Sequence, residues 1–308
     1  MQRTARSSRA AKVPAFWLAG IRQVVRVLAD AVFPCRCAAC RQYWSAGSRQ
    51  APGSAALRAE IRDRPSACFS EGVRPFLCPD CLAAFEPVAA PLCLRCGVMF
   101  VSRIGESHLC GDCMRARPYF RQARAAGVYS GALMALVHQV KYRACLALVD
   151  PLARLLQEAF QRHWHPADID LVLPIPLHGG RLRKRGFNQA QLLVDAWARA
   201  DRSGGPCGMR FPKVRHILRR RRATRPQTGL GKAERRRNMR GAFSVVDERA
   251  VAERRILLVD DVYTTGATVN EAARVLKRYG AQAVDVLTVA RTMPYTGRRG
   301  DFPNTLAR

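Results

Sequence analysis

Two adjacent carboxylates, Asp260 and Asp261, stand just ahead of the small, hydroxylic run Thr264-Thr265-Gly266-Ala267-Thr268. A loop of small residues at a helix N-terminus can turn several backbone N–H groups and hydroxyls onto one phosphate, and the helix dipole favours a dianion there. Carboxylates beside it can accept hydrogen bonds from sugar hydroxyls or hold a divalent cation through oxygen ligands or water. Phosphate, diol and metal chemistry would then meet at one place.

A second set of chemical residues is sulfur. Of the 12 cysteines, eight form four C-x-x-C pairs: Cys37/Cys40, Cys78/Cys81, Cys93/Cys96 and Cys110/Cys113. This is tetrahedral zinc spacing and points to a reducing, cytoplasmic setting. Cys93, Cys96, Cys110 and Cys113 have the spacing of one zinc ribbon. Cys37 and Cys40 would have to reach Cys78 and Cys81 across a polar insertion at 45–74, which reads as a mobile loop, and crossed pairing of the four units satisfies the same spacing. Four thiolates close the shell around a metal, so zinc would be structural. Cys35 and His108 are spare ligands, whereas Cys68, Cys145 and Cys207 read as ordinary thiols.

The elements that must position these groups follow from the apolar pattern. Ile256 to Val259 is apolar enough for a strand buried on both faces, which places the acid pair at its end. After the loop, Val269, Ala272, Ala273, Leu276 and Tyr279 recur at helical spacing, Thr268 and Glu271 have capping-box spacing, and Gly280 stands where the helix would stop. Further strands are expected at 125–130, 171–176, 242–246 and 283–289, and helices at 133–142, 149–164 and from about Asn188. Strands alternating with helices predict an α/β fold, a mostly parallel sheet with flanking helices, with ligands at the carboxyl ends of its strands. Arg181, Arg183, Lys184 and Arg185 fall in a basic, Gly-containing loop after the strand at 171–176, a place suited to pyrophosphate or to a solvated basic face.

Charge adds a partner class. Lys and Arg number 52 against 23 Asp and Glu, a formal net charge of +29, so polyanions are expected to be attracted. Between Lys213 and Arg240 the only acid is Glu234, and this stretch reads as a flexible arm or lid. Near the start, Trp17, Ile21, Val24, Leu28 and Val32 predict an amphipathic helix within 16–33 that packs on the next domain. The basic first dozen residues and the short apolar run at 13–21 have the outline of a leader. Arg22 and Arg26 interrupt it and no A-x-A site follows, so a basic extension is the expectation. No apolar run reaches the length of a membrane span. Neither G-x-x-x-x-G-K-[ST] nor H-E-x-x-H occurs, which removes P-loop NTPases and zincin proteases as simple readings.

The run VDDVYTTGAT resembles the 5-phosphoribosyl-1-pyrophosphate (PRPP) signature of type I phosphoribosyltransferases. Together with the four C-x-x-C pairs, VHQVKYR, LPIPLHGGRLRKRGFNQA, RPQTGL and RRRNMRGAF, taken in that order, the chain resembles the ComF family from Phe33 to Thr292. The resemblance implies a double zinc ribbon over 34–117, a type I phosphoribosyltransferase-like domain over 118–296 and a tail at 297–308. By analogy, Thr264, Thr265, Gly266, Ala267 and Thr268 would hold the ribose 5-phosphate, and Asp260 and Asp261 the ribose hydroxyls and Mg2+. Lys184, Arg185, Gly186, Asn188 and Gln189 would lie near the pyrophosphate. Lys141, Gln227, Thr228 and Asn238 match family positions.

Two functions compete. One is Mg2+-dependent transfer of the phosphoribosyl group from PRPP to an acceptor, in a protein linked to DNA uptake. The other is a module without catalysis, in which PRPP modulates contact with single-stranded DNA or a competence helicase; Trp44, Phe187 and Phe211 are candidates to stack on bases, although scattered aromatics more often belong to a core. Turnover separates the two.

Overall fold

The computed structural model describes residues 35–44, 67–102, 104–202, 212–223 and 231–293. The amphipathic helix expected within 16–33, most of the polar insertion, the segment with Gln227 and Thr228, Phe211 and the tail lie outside them.

The cysteine-rich part opens with a short antiparallel pair, β1 (Cys35–Arg36) and β2 (Tyr43–Trp44). Helices α1 (Ala67–Val73) and α2 (Pro79–Ala83) follow, and α3 (Gly111–Arg115) starts directly after Cys110. Helix α1 corrects the expectation of a loop throughout 45–74. Phe69 and Val73 are fully buried, so an apolar pair at i, i+4 ties this end of the insertion into the core.

Beyond it come β3 (Ala123–Val128), α4 (Gly131–Arg143), α5 (Val149–His163) and β4 (Leu171–Pro174). Then α6 (Gly179–Arg185), α7 (Gln189–Arg202), β5 (Lys213–Val214) and β6 (Leu218–Arg220) lead to α8 (Lys232–Met239), β7 (Phe243–Val245) and β8 (Arg255–Tyr263). Helix α9 (Ala267–Arg278) and β9 (Ala283–Arg291) close the described chain.

One five-stranded sheet has the order β3-β9-β8-β4-β5, and every pairing in it is parallel. Its central strands β8 and β4 carry Ile256 to Val259 and Leu171 to Leu173, all buried. Helices cover both faces, as a parallel sheet requires. Leu155, Leu156, Val194 and Trp197 pack with Leu257 and Val259 on one face, while Ala272, Val275 and Leu276 pack with Ile256 and Leu258 on the other. The cysteine-rich part shares these cores. Cys37 and Cys78 belong to the first cluster, and Cys93, Cys96 and Cys113 to the second.

Four expectations change. Strand β8 runs past the acid pair to Tyr263, because β9 continues beside it and pairs Asp260 with Thr288 and Tyr263 with Arg291. The strand expected at 242–246 exists as β7 but pairs antiparallel with β6, off the main sheet. The basic arm is largely built: β6, β7 and α8 enclose Met239 and Phe243, and Arg220 is buried against the Phe243 ring at 5.7 Å. The basic residues 181–185 lie on α6, a helix capped by His178, whose Nδ1 accepts from the Gly180 N–H.

Candidate functional site

Strands β4 and β8 are neighbours, and their register pairs Pro174 with Val259. The Ile175 N–H donates to the Val259 carbonyl at 2.9 Å. The two segments that follow these strands therefore start side by side: the α6 turn with its basic residues, and the acid pair with the Thr-Thr-Gly turn. Such a juxtaposition of adjacent strand ends is where ligands enter open α/β sheets.

Asp260 and Asp261 are both part-buried. They differ in partners. Lys141, near the end of α4, makes a 2.9 Å ion pair with Asp261, with both side chains mostly withdrawn from solvent. Burial alone would lower the Lys141 ammonium, but Asp261 above all reverses this and keeps it charged. Asp260 accepts the Asp261 N–H at 2.9 Å. Burial and the neighbouring Asp261 charge push its carboxyl up to about 7, against the pull of Lys141 and Arg220. Two carboxylates this close do not ionise independently.

Around this pair stand Tyr129 and His138, joined by a 2.8 Å hydrogen bond, and Tyr142 with the Arg185 guanidinium 5.7 Å from its ring centroid. Burial, then Lys141, lowers His138. Burial also lowers Arg220 to about 10, with Arg181 and Arg222 adding and Asp260 opposing. That mutual influence brings β6 and α6 into the same field as the acid pair.

The turn that follows β8 is fixed by one glycine. Gly266 has φ +73°, and a Cβ there would lie 2.2 Å from the Tyr263 hydroxyl oxygen and 2.5 Å from its ring. Only a residue without a side chain fits both the backbone and the space. Gly266 is the N-cap of α9, so Ala267 and Thr268 open the helix. The expected capping box does not form: Glu271 is buried, accepts the Gly241 N–H and pairs with Arg274 at 2.6 Å. The N-cap residue Gly266 has no side chain with which to cap the first turn. Beside it the Thr265 hydroxyl is buried and has no hydrogen-bond partner. A buried unsatisfied hydroxyl costs roughly 1–3 kcal/mol. An anion at the helix N-terminus would satisfy it.

The structure brings together Asp260, Asp261, Thr264, Thr265, Gly266, Ala267 and Thr268. Lys184 is exposed and Arg185 half-buried on α6, on the segment leaving the adjacent strand. Asn188 is engaged with the backbone, donating to the Ile175 carbonyl at 3.0 Å. Lys141, Arg220 and Tyr263 carried no assigned role in the sequence. For Lys141 the family-like segment VHQVKYR is the signal, and for Arg220 the alternation of Leu218, Arg219 and Arg220 in a strand. Trp44 and Phe187 pack against the core rather than standing free.

Each cysteine group is gathered as the spacing of adjacent pairs predicts, without crossing. Cys37, Cys40, Cys78 and Cys81 form one group and Cys93, Cys96, Cys110 and Cys113 the other, with all sulfurs in a group within 4.8 Å of one another. A tetrahedron with Zn–S bonds of about 2.3 Å has edges of about 3.8 Å. The Cys40–Cys78 and Cys96–Cys110 sulfur distances are 3.8 and 3.7 Å. Backbone N–H groups of Cys96 and Cys110 donate to Cys93 Sγ at 3.4 and 3.3 Å, and that of Cys78 to Cys37 Sγ at 3.4 Å. Burial would raise Cys37, yet such N–H donors bring it down to about 6. The donor set, edge lengths and N–H···S bonds fit zinc in both groups. Cys145 is free and half-buried; Cys207 lies outside the described residues.

Among the described residues no helix is long and apolar enough to cross a membrane. Residues 213–301 match the phosphoribosyl transferase domain family. The chain is similar to competence protein F of Haemophilus influenzae, with 31% identity over 70% of this chain and 90% of that protein. It is also similar to the DNA utilization protein YhgH of Escherichia coli K12, with 32% identity over 66% of this chain and 85% of that one. Similarity to competence protein ComFC of Streptococcus pneumoniae is 27% over 70% and 87%. With its phosphoribosyl transferase-like α/β sheet and two four-cysteine groups, the chain belongs to the ComF family.

Proposed function

We propose that the chain binds PRPP or a related phosphoribosyl ligand at the carboxyl ends of β8 and β4, and that it serves DNA uptake or use as its relatives' names indicate. One observation carries this reading: the buried, partnerless Thr265 hydroxyl in the turn that joins the end of β8 to the N-terminus of α9, on the same strand end as the acid pair. The 5-phosphate takes the Thr264–Thr268 N–H groups and hydroxyls. Asp260 and Asp261 face the ribose hydroxyls, and Arg181, Lys184 and Arg185 supply positive charge for the pyrophosphate.

Carboxylate oxygens suit Mg2+, which is usually held by one or two carboxylates together with substrate phosphates. Lys141 already neutralises Asp261, so Asp260 is the carboxylate left to face a metal–pyrophosphate complex. Mg2+ bound with the ligand would offset charge on the leaving pyrophosphate. The protein's own part in transfer is to hold C1 of the ribose between an acceptor and that leaving group, with cationic side chains where negative charge develops.

A second reading has support of its own. Arg219 on β6, Arg221 and Arg222 just after it, and Arg236 and Arg237 on α8 are exposed beside the site. That surface suits a nucleic-acid backbone, with the phosphoribosyl ligand as effector and the cytoplasm as setting. A competence helicase is the protein partner consistent with this reading.

Equilibrium binding of ribose 5-phosphate against ribose, in wild type and Thr265→Val, tests the site. The phosphate should confer most of the affinity, and Thr265→Val should weaken the phosphate ligand roughly tenfold. Equal affinity of both proteins for ribose 5-phosphate would exclude the loop. Pyrophosphate release with candidate acceptors then separates enzyme from effector-binding module.

A further inference from the structure

Arg291, the last residue of β9, is buried under the second cysteine group. Its Nη1 donates to the Cys96 carbonyl and its Nη2 to Cys96 Sγ at 3.5 Å. The same guanidinium lies 4.2 Å from the centroid of the Tyr263 ring, its partner in the β8–β9 register. Tyr263 is buried, edge-on to Phe120 at 6.3 Å. Its hydroxyl occupies the space that a side chain at position 266 would need. Thr292, next to Arg291, donates its N–H to the Tyr263 carbonyl at 3.0 Å and its hydroxyl to the Thr264 carbonyl at 3.4 Å.

The knuckle at 93–97 is anchored to the sheet by further bonds. Arg124 donates to the Leu94 carbonyl and Arg95 to that of Phe120, both at 3.1 Å. Gly97, at φ +69°, lets the Ala123 carbonyl approach to within 2.4 Å of where a Cβ would sit. The Ala123 N–H bonds the Arg95 carbonyl at 2.7 Å. From Cys96 to Gly266 there is thus an unbroken series of packed, buried contacts.

We propose that Arg291 is a positioning residue that transmits the state of the Cys93/Cys96/Cys110/Cys113 group through Tyr263 to the Thr264–Thr268 turn. Metal in the second group fixes Cys96 and with it both acceptors of the Arg291 fork. A fixed guanidinium holds the Tyr263 ring, and the ring sets where Gly266 and the first turn of α9 can lie. That this turn receives a phosphate rests on the function proposed above; the mechanical link does not. If both sites bias one arrangement, ligand at the turn and metal in the cysteine group strengthen each other by the same factor.

Hydrogen–deuterium exchange on the full chain tests the link without any ligand. The informative amides are Asn270, bonded to the Gly266 carbonyl at 2.8 Å, and Thr292, bonded to that of Tyr263. Stripping zinc with a chelator should speed their exchange about tenfold or more relative to amides of β4. Arg291→Lys keeps the charge but lacks the two-pronged geometry. With zinc still bound, shown by metal analysis and an unchanged far-ultraviolet spectrum, it should reproduce that acceleration. Chelator-driven zinc release with added ribose 5-phosphate is the second arm. The ligand should slow release of one zinc in the wild type and not in Arg291→Lys. If zinc-loaded Arg291→Lys exchanges like wild type, the proposal is overturned, and this arm remains decisive should stripping unfold the domain. Ribose 5-phosphate that fails to bind at all would sink the phosphate reading while leaving the exchange result to judge the link.

Discussion

Replacing Gly266 by alanine perturbs a single methyl group at the point where strand, turn and helix meet. Two terms add. A non-glycine residue at φ +73° gives up about 1–2 kcal/mol to left-handed backbone. The new Cβ would stand 2.2 Å from the Tyr263 oxygen, and the ring cannot swing away freely because Arg291 lies over it and Phe120 meets its edge. Forcing a methyl into such a packed place costs about 1–3 kcal/mol. The sum is a loss of roughly 2–5 kcal/mol. Urea unfolding of zinc-loaded wild type and Gly266→Ala, compared at equal slope, reads it directly. A Tyr263→Phe background removes the closest contact, so the double variant should lose less than the two single losses together. If part of the strain is relieved by a displaced turn, affinity for a phosphoribosyl ligand falls as well, by roughly a hundredfold for 3 kcal/mol. A Gly266→Ala protein within about 0.5 kcal/mol of wild type would refute the reasoning, since that is the range of an ordinary surface change.

Other perturbations follow from the same geometry. Asp260 has a carboxyl raised to about 7, first by burial and then by Asp261, so the folded state binds its proton more tightly than the unfolded chain and its ionisation opposes folding. Asp260→Asn should therefore raise the apo protein's Tm at pH 8 and change it little near pH 4, while abolishing ligand binding; a variant destabilised at pH 8 contradicts this. Glu271 behaves oppositely. Burial would raise it, but Arg274 and the Gly241 N–H outweigh that and hold it below the ordinary glutamate range. Its contribution is full above that range and lost as pH falls through the depressed value, so Glu271→Gln should cost about 1–2 kcal/mol at pH 7 and progressively less as the pH is lowered through and below the ordinary glutamate range, measured by urea unfolding. Asp285 is buried and accepts from Trp164 Nε1 at 2.9 Å and from Arg121. Asp285→Ala strands those donors and should lose about 2–4 kcal/mol in the same assay. Metal analysis should find two zinc ions per chain, falling to one in Cys37→Ser/Cys40→Ser.

What the sequence made legible was local. The run from Ile256 to Gly280 holds its strand, turn and helix in consecutive residues, and periodicity sufficed to place them. The C-x-x-C pairs were equally readable because each pair is a self-contained knuckle. Charge statistics misled over 213–240, where the mean charge of the run hid an inward-facing Arg220 lying against Phe243 and Met239. The capping box failed because Glu271 has better partners from distant segments, Gly241 in particular. Helix α6 was missed because glycines and like charges argue for a loop, while the His178 cap and the Gly186 terminus, at φ +82°, favour one short helix. Lys141 on Asp261 joins residues 120 positions apart, and no periodicity can show such a pair.

The most direct test of the central claim is calorimetric titration of PRPP with Mg2+ into the zinc-loaded wild type beside Asp260→Asn/Asp261→Asn. The account predicts saturable binding of one PRPP per chain in the wild type and its loss in the folded double variant. A folded, zinc-loaded wild type that takes up no PRPP, or a double variant that binds it unchanged, would contradict it.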